Sequence, residues 1–181
     1  MRFFLDTEFI ENPCTIDLIS IGLVAEDERE FYAINSECDF AQANDWVKEN
    51  VIPSLPPQTD FAWRTKEAIA FEIMAFIKHE EGAELYYHTF NTLKNAPMRE
   101  RPEFWGEWCA YDWVVFAWLF GAMVDLPEGF PMQCNDIIQL AETHLGFSSI
   151  NLPPSLETPG HHNALLGAKT VKQRWEWLQF Q

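Results

Sequence analysis

Phe3-Phe4-Leu5-Asp6-Thr7-Glu8-Phe9-Ile10 is the stretch on which the fold and chemistry of this chain turn. Its side chains alternate between two faces with a period of two, the signature of a β-strand. Residues i and i+2 of a strand share a face, so Asp6 and Glu8 point the same way. Phe4 and Ile10 share that face, which sets both acids on an otherwise apolar stripe. Two carboxylates this close and partly desolvated raise each other's pKa unless a cation lies between them. Oxygen ligands of this kind suit Mg²⁺ or Mn²⁺. A strand end with two solvated acids has the same pattern, and spacing alone does not choose between them.

Outward from this strand, residues 16–24 are rich in Ile and Leu, and residues 29–34 follow the acidic turn Glu26-Asp27-Glu28. Three short strands joined by tight turns predict an antiparallel meander. Residues 41–51 read as a helix that stops at Pro53, residues 55–57 as a linker, and residues 65–78 as an amphipathic helix capped by Thr65. Residues 82–102 carry Gly82, Pro97 and Pro102 together with the basic cluster Lys94, Arg99 and Arg101, and read as a surface excursion. A strand over 103–110 follows, then a helix over 111–123 that is apolar on nearly all sides and therefore buried. Residues 135–145 form another helix ending at Gly146, residues 148–160 a Pro-rich loop, and residues 163–178 a final amphipathic helix. Meander first, helix-strand alternation afterwards: the expected class is α/β with a mixed sheet flanked by helices.

The chain has 181 residues, enough for one domain over 1–181 and short for two. Apolar residues make up 48% of it and aromatic residues 15%, which excludes a disordered segment. The longest apolar run, 113–124, falls short of the roughly twenty residues needed to cross a bilayer. Asp6 interrupts the N-terminus before a signal-peptide core forms, so no membrane partner and a cytoplasmic location are expected. Cys14, Cys38, Cys109 and Cys134 include no C-x-x-C pair and read as buried thiols rather than zinc ligands or disulfides. The formal charge of −16 excludes a protein that coats duplex DNA by charge. It leaves room for an enzyme that grips only the last nucleotides of a strand, because cations on clustered acids reverse the field locally.

Two further residues stand out. Asp112 opens the apolar helix, where it serves as an N-cap, as a functional acid, or as both. His162 follows Thr158-Pro159-Gly160 at the start of the last helix. A helix N-terminus disfavours the imidazolium, which suits a base that must be neutral near pH 7. A surface-loop histidine fits the same position, and His161 beside it is the less favoured candidate.

Asp6-Thr7-Glu8-Phe9-Ile10, then Cys109-Ala110-Tyr111-Asp112, then His162-Asn163-Ala164-Leu165 together resemble, in that order, the three motifs of the DEDDh 3′-5′ exonucleases. That family has a ribonuclease H-like fold and includes ribonuclease T, polymerase proofreading subunits and oligoribonuclease. The chain is most similar to its small bacterial polyadenylate-type exoribonucleases beginning D-T-E-F-I, with 84–102 as the expected insertion. The resemblance implies two Mg²⁺ or Mn²⁺ ions held by Asp6, Glu8, Asp112 and a fourth acid, with His162 as general base. It implies a single-stranded 3′ end of RNA or DNA as substrate, RNA favoured, nucleoside 5′-monophosphate as product, and a possible homodimer. Thr7 and Phe9 would meet the terminal nucleotide, although Phe9 also suits the core. The fourth acid is missing: its position is Gly167, and an Asp-to-Gly replacement is the simplest account of a glycine inside a helix. A degenerate relative that binds 3′ ends without cutting them is the alternative. Lys94, Arg99 and Arg101, and likewise Lys169, Lys172 and Arg174, read as solvated faces or as phosphate contacts. The eight tryptophans read as core.

Overall fold

β1 (Arg2–Asn12), β2 (Thr15–Ala25) and β3 (Glu30–Asn35) form the expected antiparallel meander in a computed structural model that describes residues 1–79, 89–98, 100–146 and 162–180. β4 (Trp63–Arg64) adds parallel to β3, β5 (Glu103–Gly106) parallel to β1, and β6 (Asn135–Asp136) parallel to β5. The sheet order is β4-β3-β2-β1-β5-β6, a mixed sheet with β1 near its centre.

Helices cover both faces: α1 (Asp45–Asn50), α2 (Lys66–Lys78), α3 (Phe90–Lys94), α4 (Ala110–Trp118), α5 (Ile137–Leu145) and α6 (Ala164–Leu178). Alternation along β1 feeds two separate cores. Phe3 and Leu5 pack with Ile69 and Ile73 of α2 and with Val115 and Phe116 of α4. Phe4 packs with Ile137 and Ala141 of α5 and with Ala168 and Val171 of α6. A strand buried on both faces is apolar at both parities, so polar residues in it are conspicuous. Asp6, Thr7 and Glu8 interrupt it just after the last residue paired to β5, Phe4. β1 and β2 shift register at Glu8/Phe9, where Ser20 and Leu18 are the successive partners and Ile19 is the extra residue of a bulge.

Local chemistry accounts for the helix boundaries. Thr65 caps α2 by accepting from the Ala68 N–H, Asp136 caps α5 through Ile138, and Asn163 caps α6 through Leu165 and Leu166. Gly146 ends α5 at φ 63°.

Several expectations need correction. The strand over 103–110 ends at Gly106, because the chain turns there so tightly that an added Cβ would overlap Cys109 Cβ. The helix over 111–123 is α4, which stops at Trp118 before Gly121 at φ 115°. Asp112 does not cap it: Cys109 holds that position, and Asp112 lies inside the first turn. Trp46, Trp108 and Trp118 are exposed rather than core, each lying near a turn or on the outer side of a helix. Cys14 is exposed, in the turn between β1 and β2. The expected loop over 148–160, His161, and residues 84–88 and 99 of the expected insertion lie outside the described residues, while the rest of that insertion includes α3, whose Leu93 is buried in the main core.

Candidate active site

Where β5 ends, one edge of β1 loses its strand partner, and Asp112 takes over that edge. Its Oδ1 accepts from the Thr7 N–H at 2.9 Å and from Thr7 Oγ1 at 2.5 Å, in a buried setting. One side chain of α4 thereby replaces a ladder bond and fixes the helix start to the strand that carries Asp6 and Glu8. A backbone donor bonded to a carboxylate is one of the stronger hydrogen bonds a protein makes.

α6 covers the same part of β1 from the opposite face. Gly22, the β2 partner of Asp6, lies so close to Ala164 that an added Cβ would overlap the Ala164 carbonyl. One turn later Gly167 meets Asp6: a Cβ there would overlap Asp6 Oδ2 and stand 3.0 Å from Asp6 Cβ. The glycine is therefore part of the packing, its missing side chain replaced by the Asp6 carboxylate. Position 167 faces Asp6.

The electrostatics follow from this crowding. Burial, then the charges of Asp112, Glu8 and Glu107, hold the Asp6 carboxyl well above the usual carboxylate range. Burial and Asp112 push Glu8 up to about 7. Burial raises Asp112 to about 6, opposed by its bonds from Thr7. Acids that raise one another in a partly desolvated cleft are a recurrent feature of functional sites. Two further groups line the same side of the sheet. Ser20 pairs with Glu8, and Tyr32 pairs with Gly22 in the row of Asp6. Among the described residues, the Ser20 and Tyr32 hydroxyls are buried neighbours with no hydrogen bond of good geometry. Burial raises Tyr32, the neighbouring Ser20 hydroxyl opposes the rise, and the charge of Glu8 adds to it. Buried hydroxyls without well-formed hydrogen bonds cost free energy, and these two stand in the same cross-strand rows as Asp6 and Glu8.

Asp6, Glu8, Asp112 and position 167 thus come together. His162 lies two residues before Ala164, which packs on Gly22. It sits just before α6 at φ 70°, its ring edge-on to Trp46 of α1 at 4.8 Å between centroids, its carbonyl accepting from Ser54 Oγ at 2.7 Å. Phe9 is half-buried against the main core and stacks on Tyr111 at 6.0 Å and 23°. Thr7 is buried and committed to Asp112. Of the expected basic face of α6, Lys172 and Arg174 are buried and bonded, to Glu28 and Glu176 and to Glu107, while Lys169 stays partly exposed and pairs with Glu30. Sequence reading missed Glu107, Ser20 and Tyr32. An acid directly after the β5 glycine was the available signal for Glu107; the hydroxyls emerge only from strand register.

Three hard carboxylates sharing one field fit a divalent cation in donor chemistry. Among the described residues, no three His, Cys, Asp or Glu side chains close on a single point as they stand.

A mixed sheet with carboxylates gathered where β1 loses its β5 partner defines an α/β protein with an acidic site. No family model matches the chain. Two 3′-5′ exoribonucleases, from two strains of Mycobacterium tuberculosis, are each 34% identical to it over 178 residues, 98% of this chain and 93% of each relative. The chain belongs to this family of 3′-5′ exoribonucleases.

Proposed function

We propose that the chain is a 3′-5′ exonuclease of the DEDDh type with a ribonuclease H-like fold, acting on single-stranded 3′ ends with RNA preferred. The convergence of Asp6, Glu8 and Asp112 with position 167 against Asp6 carries this reading. Asp6, Glu8 and Asp112 would hold Mg²⁺ or Mn²⁺. A bound cation would stabilise charge on the phosphodiester and lower the pKa of a coordinated water.

The chain's own residues do the rest. Asp112, fixed by Thr7, holds α4 and Tyr111 against β1, so that the Phe9–Tyr111 stack forms a rigid wall for the terminal nucleotide. His162 takes the proton from the attacking water. The water oxygen bonds to phosphorus as the bond from phosphorus to the upstream 3′ oxygen breaks. The leaving 3′ oxygen takes a proton from solvent, so the products are a nucleoside 5′-monophosphate and a strand one nucleotide shorter with a free 3′ hydroxyl.

A second reading, binding of 3′ ends without cleavage, is favoured by one observation: the Gly167 side supplies no carboxylate. Matched 5′-labelled RNA and DNA strands, incubated with Mg²⁺ or Mn²⁺, separate the two. Stepwise shortening from the 3′ end, faster on RNA, is the expected result. Retention of intact RNA by the protein, with no shortening at any Mn²⁺ concentration, establishes the second reading instead.

A further inference from the structure

The turn that leads out of β5 brings two cysteines together. Gly106 ends the strand, and a Cβ there would overlap Cys109 Cβ and lie 3.5 Å from Cys109 Sγ, so the chain folds back on β5 within three residues. Cys109 thereby reaches the neighbouring strand. Its N–H donates to Asp136 Oδ2 at 3.3 Å, and its Sγ donates to the Asn135 carbonyl at 3.5 Å. Cys134, one residue before β6, donates from its own Sγ to that same carbonyl at 3.5 Å. The two thiols are also hydrogen-bonded to each other, a contact that, with burial, holds the Cys134 thiol above the ordinary thiol range. Cys109 is buried and Cys134 half-buried against the main core, both as free thiols.

Hydrogen bonding alone is a weak reason for this arrangement. A thiol is a poor donor, and here two of them share one carbonyl. Small apolar side chains would fill the same space without leaving weak donors in it. What the pair has that such residues lack is one sulfur beside another, brought there from two separate elements.

We propose that Cys109 and Cys134 are a redox-active pair that hydrogen peroxide closes into a disulfide, latching the start of α4 to β6. Cys134 keeps part of its surface open to solvent, which lets so small an oxidant reach the pair. In the closure two S–H bonds and the peroxide O–O bond break, and one S–S bond forms. The first sulfur gives up its proton and takes a hydroxyl from the peroxide, becoming a sulfenic acid and releasing water. The second sulfur displaces that hydroxyl, which leaves with the second thiol proton as another water. The sulfurs lose two electrons and the peroxide oxygens gain them. The closed loop contains all of α4, and such closure stabilises a fold mainly by restricting the unfolded chain. α4 is then held at its N-cap by the disulfide and in its first turn by the Asp112–Thr7 bond. In a reducing compartment a bridge of this kind is transient and responds to oxidant. The latch does not depend on the exonuclease reading.

The proteins for the test are the parent, Cys14→Ser, Cys109→Ser and Cys134→Ser, each fully reduced and then exposed to hydrogen peroxide under native conditions. Catalase stops the reaction, and remaining thiols are alkylated in denaturant, counted by mass and located by peptide mapping. Cys14→Ser removes the exposed thiol, the one most prone to bridge two molecules. In Cys14→Ser the expected result is loss of two thiols, a peptide joining residues 109 and 134, and a melting temperature raised by several degrees. Dithiothreitol should reverse all three changes. Cys109→Ser and Cys134→Ser should form no bridge within one molecule and show no rise. If either of these serine variants does not melt cooperatively, alanine takes its place. Recovery of Cys109 and Cys134 as alkylated thiols after Cys14 of the parent has been oxidised overturns the proposal. A sulfinic acid at either position without a bridge, or a bridge that forms only in denaturant, overturns it equally. So does a bridged protein that melts below the reduced one, because the disulfide would then strain the start of α4.

Discussion

Gly167 shows how one residue can run against its own helix propensity. Alanine inside a helix is favoured over glycine by about 1 kcal/mol, so Gly167→Ala would ordinarily stabilise α6. Here the added methyl overlaps Asp6 Oδ2, and Asp6 must leave its rotamer, taking its carboxylate away from Glu8 and Asp112. Gly167→Ala is therefore expected to melt no higher than the parent and to bind Mn²⁺ at least several-fold more weakly. A more stable variant with parent-like Mn²⁺ affinity would show that Asp6 is not packed on Gly167. Glu8 carries a second expectation. Its carboxyl titrates at about 7 in the folded chain against an ordinary value of 4.5. Between those values the folded state holds more protons than the unfolded one, so stability falls as pH rises through that window and stays low above it. Thermal melts in EDTA should give a lower melting temperature at pH 8 than at pH 5.5, with Mn²⁺ restoring much of the difference at pH 8. Glu8→Gln should flatten the EDTA profile. The D-x-E spacing made the shared face of Asp6 and Glu8 legible in the sequence. It could not reveal Ser20 and Tyr32, because they reach the acids through cross-strand register, which a single strand's pattern does not encode.

Among the elements, α4 and β1 are coupled through Asp112 and Thr7. Asp112→Asn keeps an acceptor for the Thr7 N–H and hydroxyl while removing a charge that raises both Asp6 and Glu8. Relief of repulsion opposes loss of charge assistance. With three acids crowded together the relief is expected to win, raising the melting temperature while abolishing Mn²⁺ binding. Thr7→Val removes only the hydroxyl bond and should cost about 1–2 kcal/mol in urea unfolding, as expected for a buried acceptor losing one donor. A fall in stability for Asp112→Asn as large as that for Thr7→Val would reverse the order of these two effects. The sequence pattern conveyed the meander, α2 and α6 well, since each has clear periodicity and a capping residue. It overextended β5 and α4, because the Trp-rich run 105–118 is apolar at every period, and the turn between them depends on Gly106 and on Trp108 at φ 54°. Asp112 was read as a cap or a functional acid from its place near a helix start. Its actual bond, to a strand over a hundred residues earlier, is a tertiary fact.

For the whole molecule, twenty-eight acids against twelve bases set how it meets a polyanion. Several of those bases are already paired internally, Lys169, Lys172 and Arg174 among them. Few phosphates can then be neutralised. Each one contributes a slope of about −0.7 in log affinity against log salt for a single strand. RNA binding by the Asp6→Asn protein is therefore expected to fall with a slope shallower than about −2, whereas a steep dependence would demand a basic groove. Among the described residues, no helix is long and apolar enough to cross a membrane. The most direct test of the central claim is a time course on a 5′-labelled single-stranded RNA with Mn²⁺, parent and Asp6→Asn in parallel. The account predicts a ladder shortening one nucleotide at a time from the 3′ end with the parent, stopped by EDTA and lacking in Asp6→Asn. Equal shortening by both proteins, or internal cuts in place of a ladder, would contradict it.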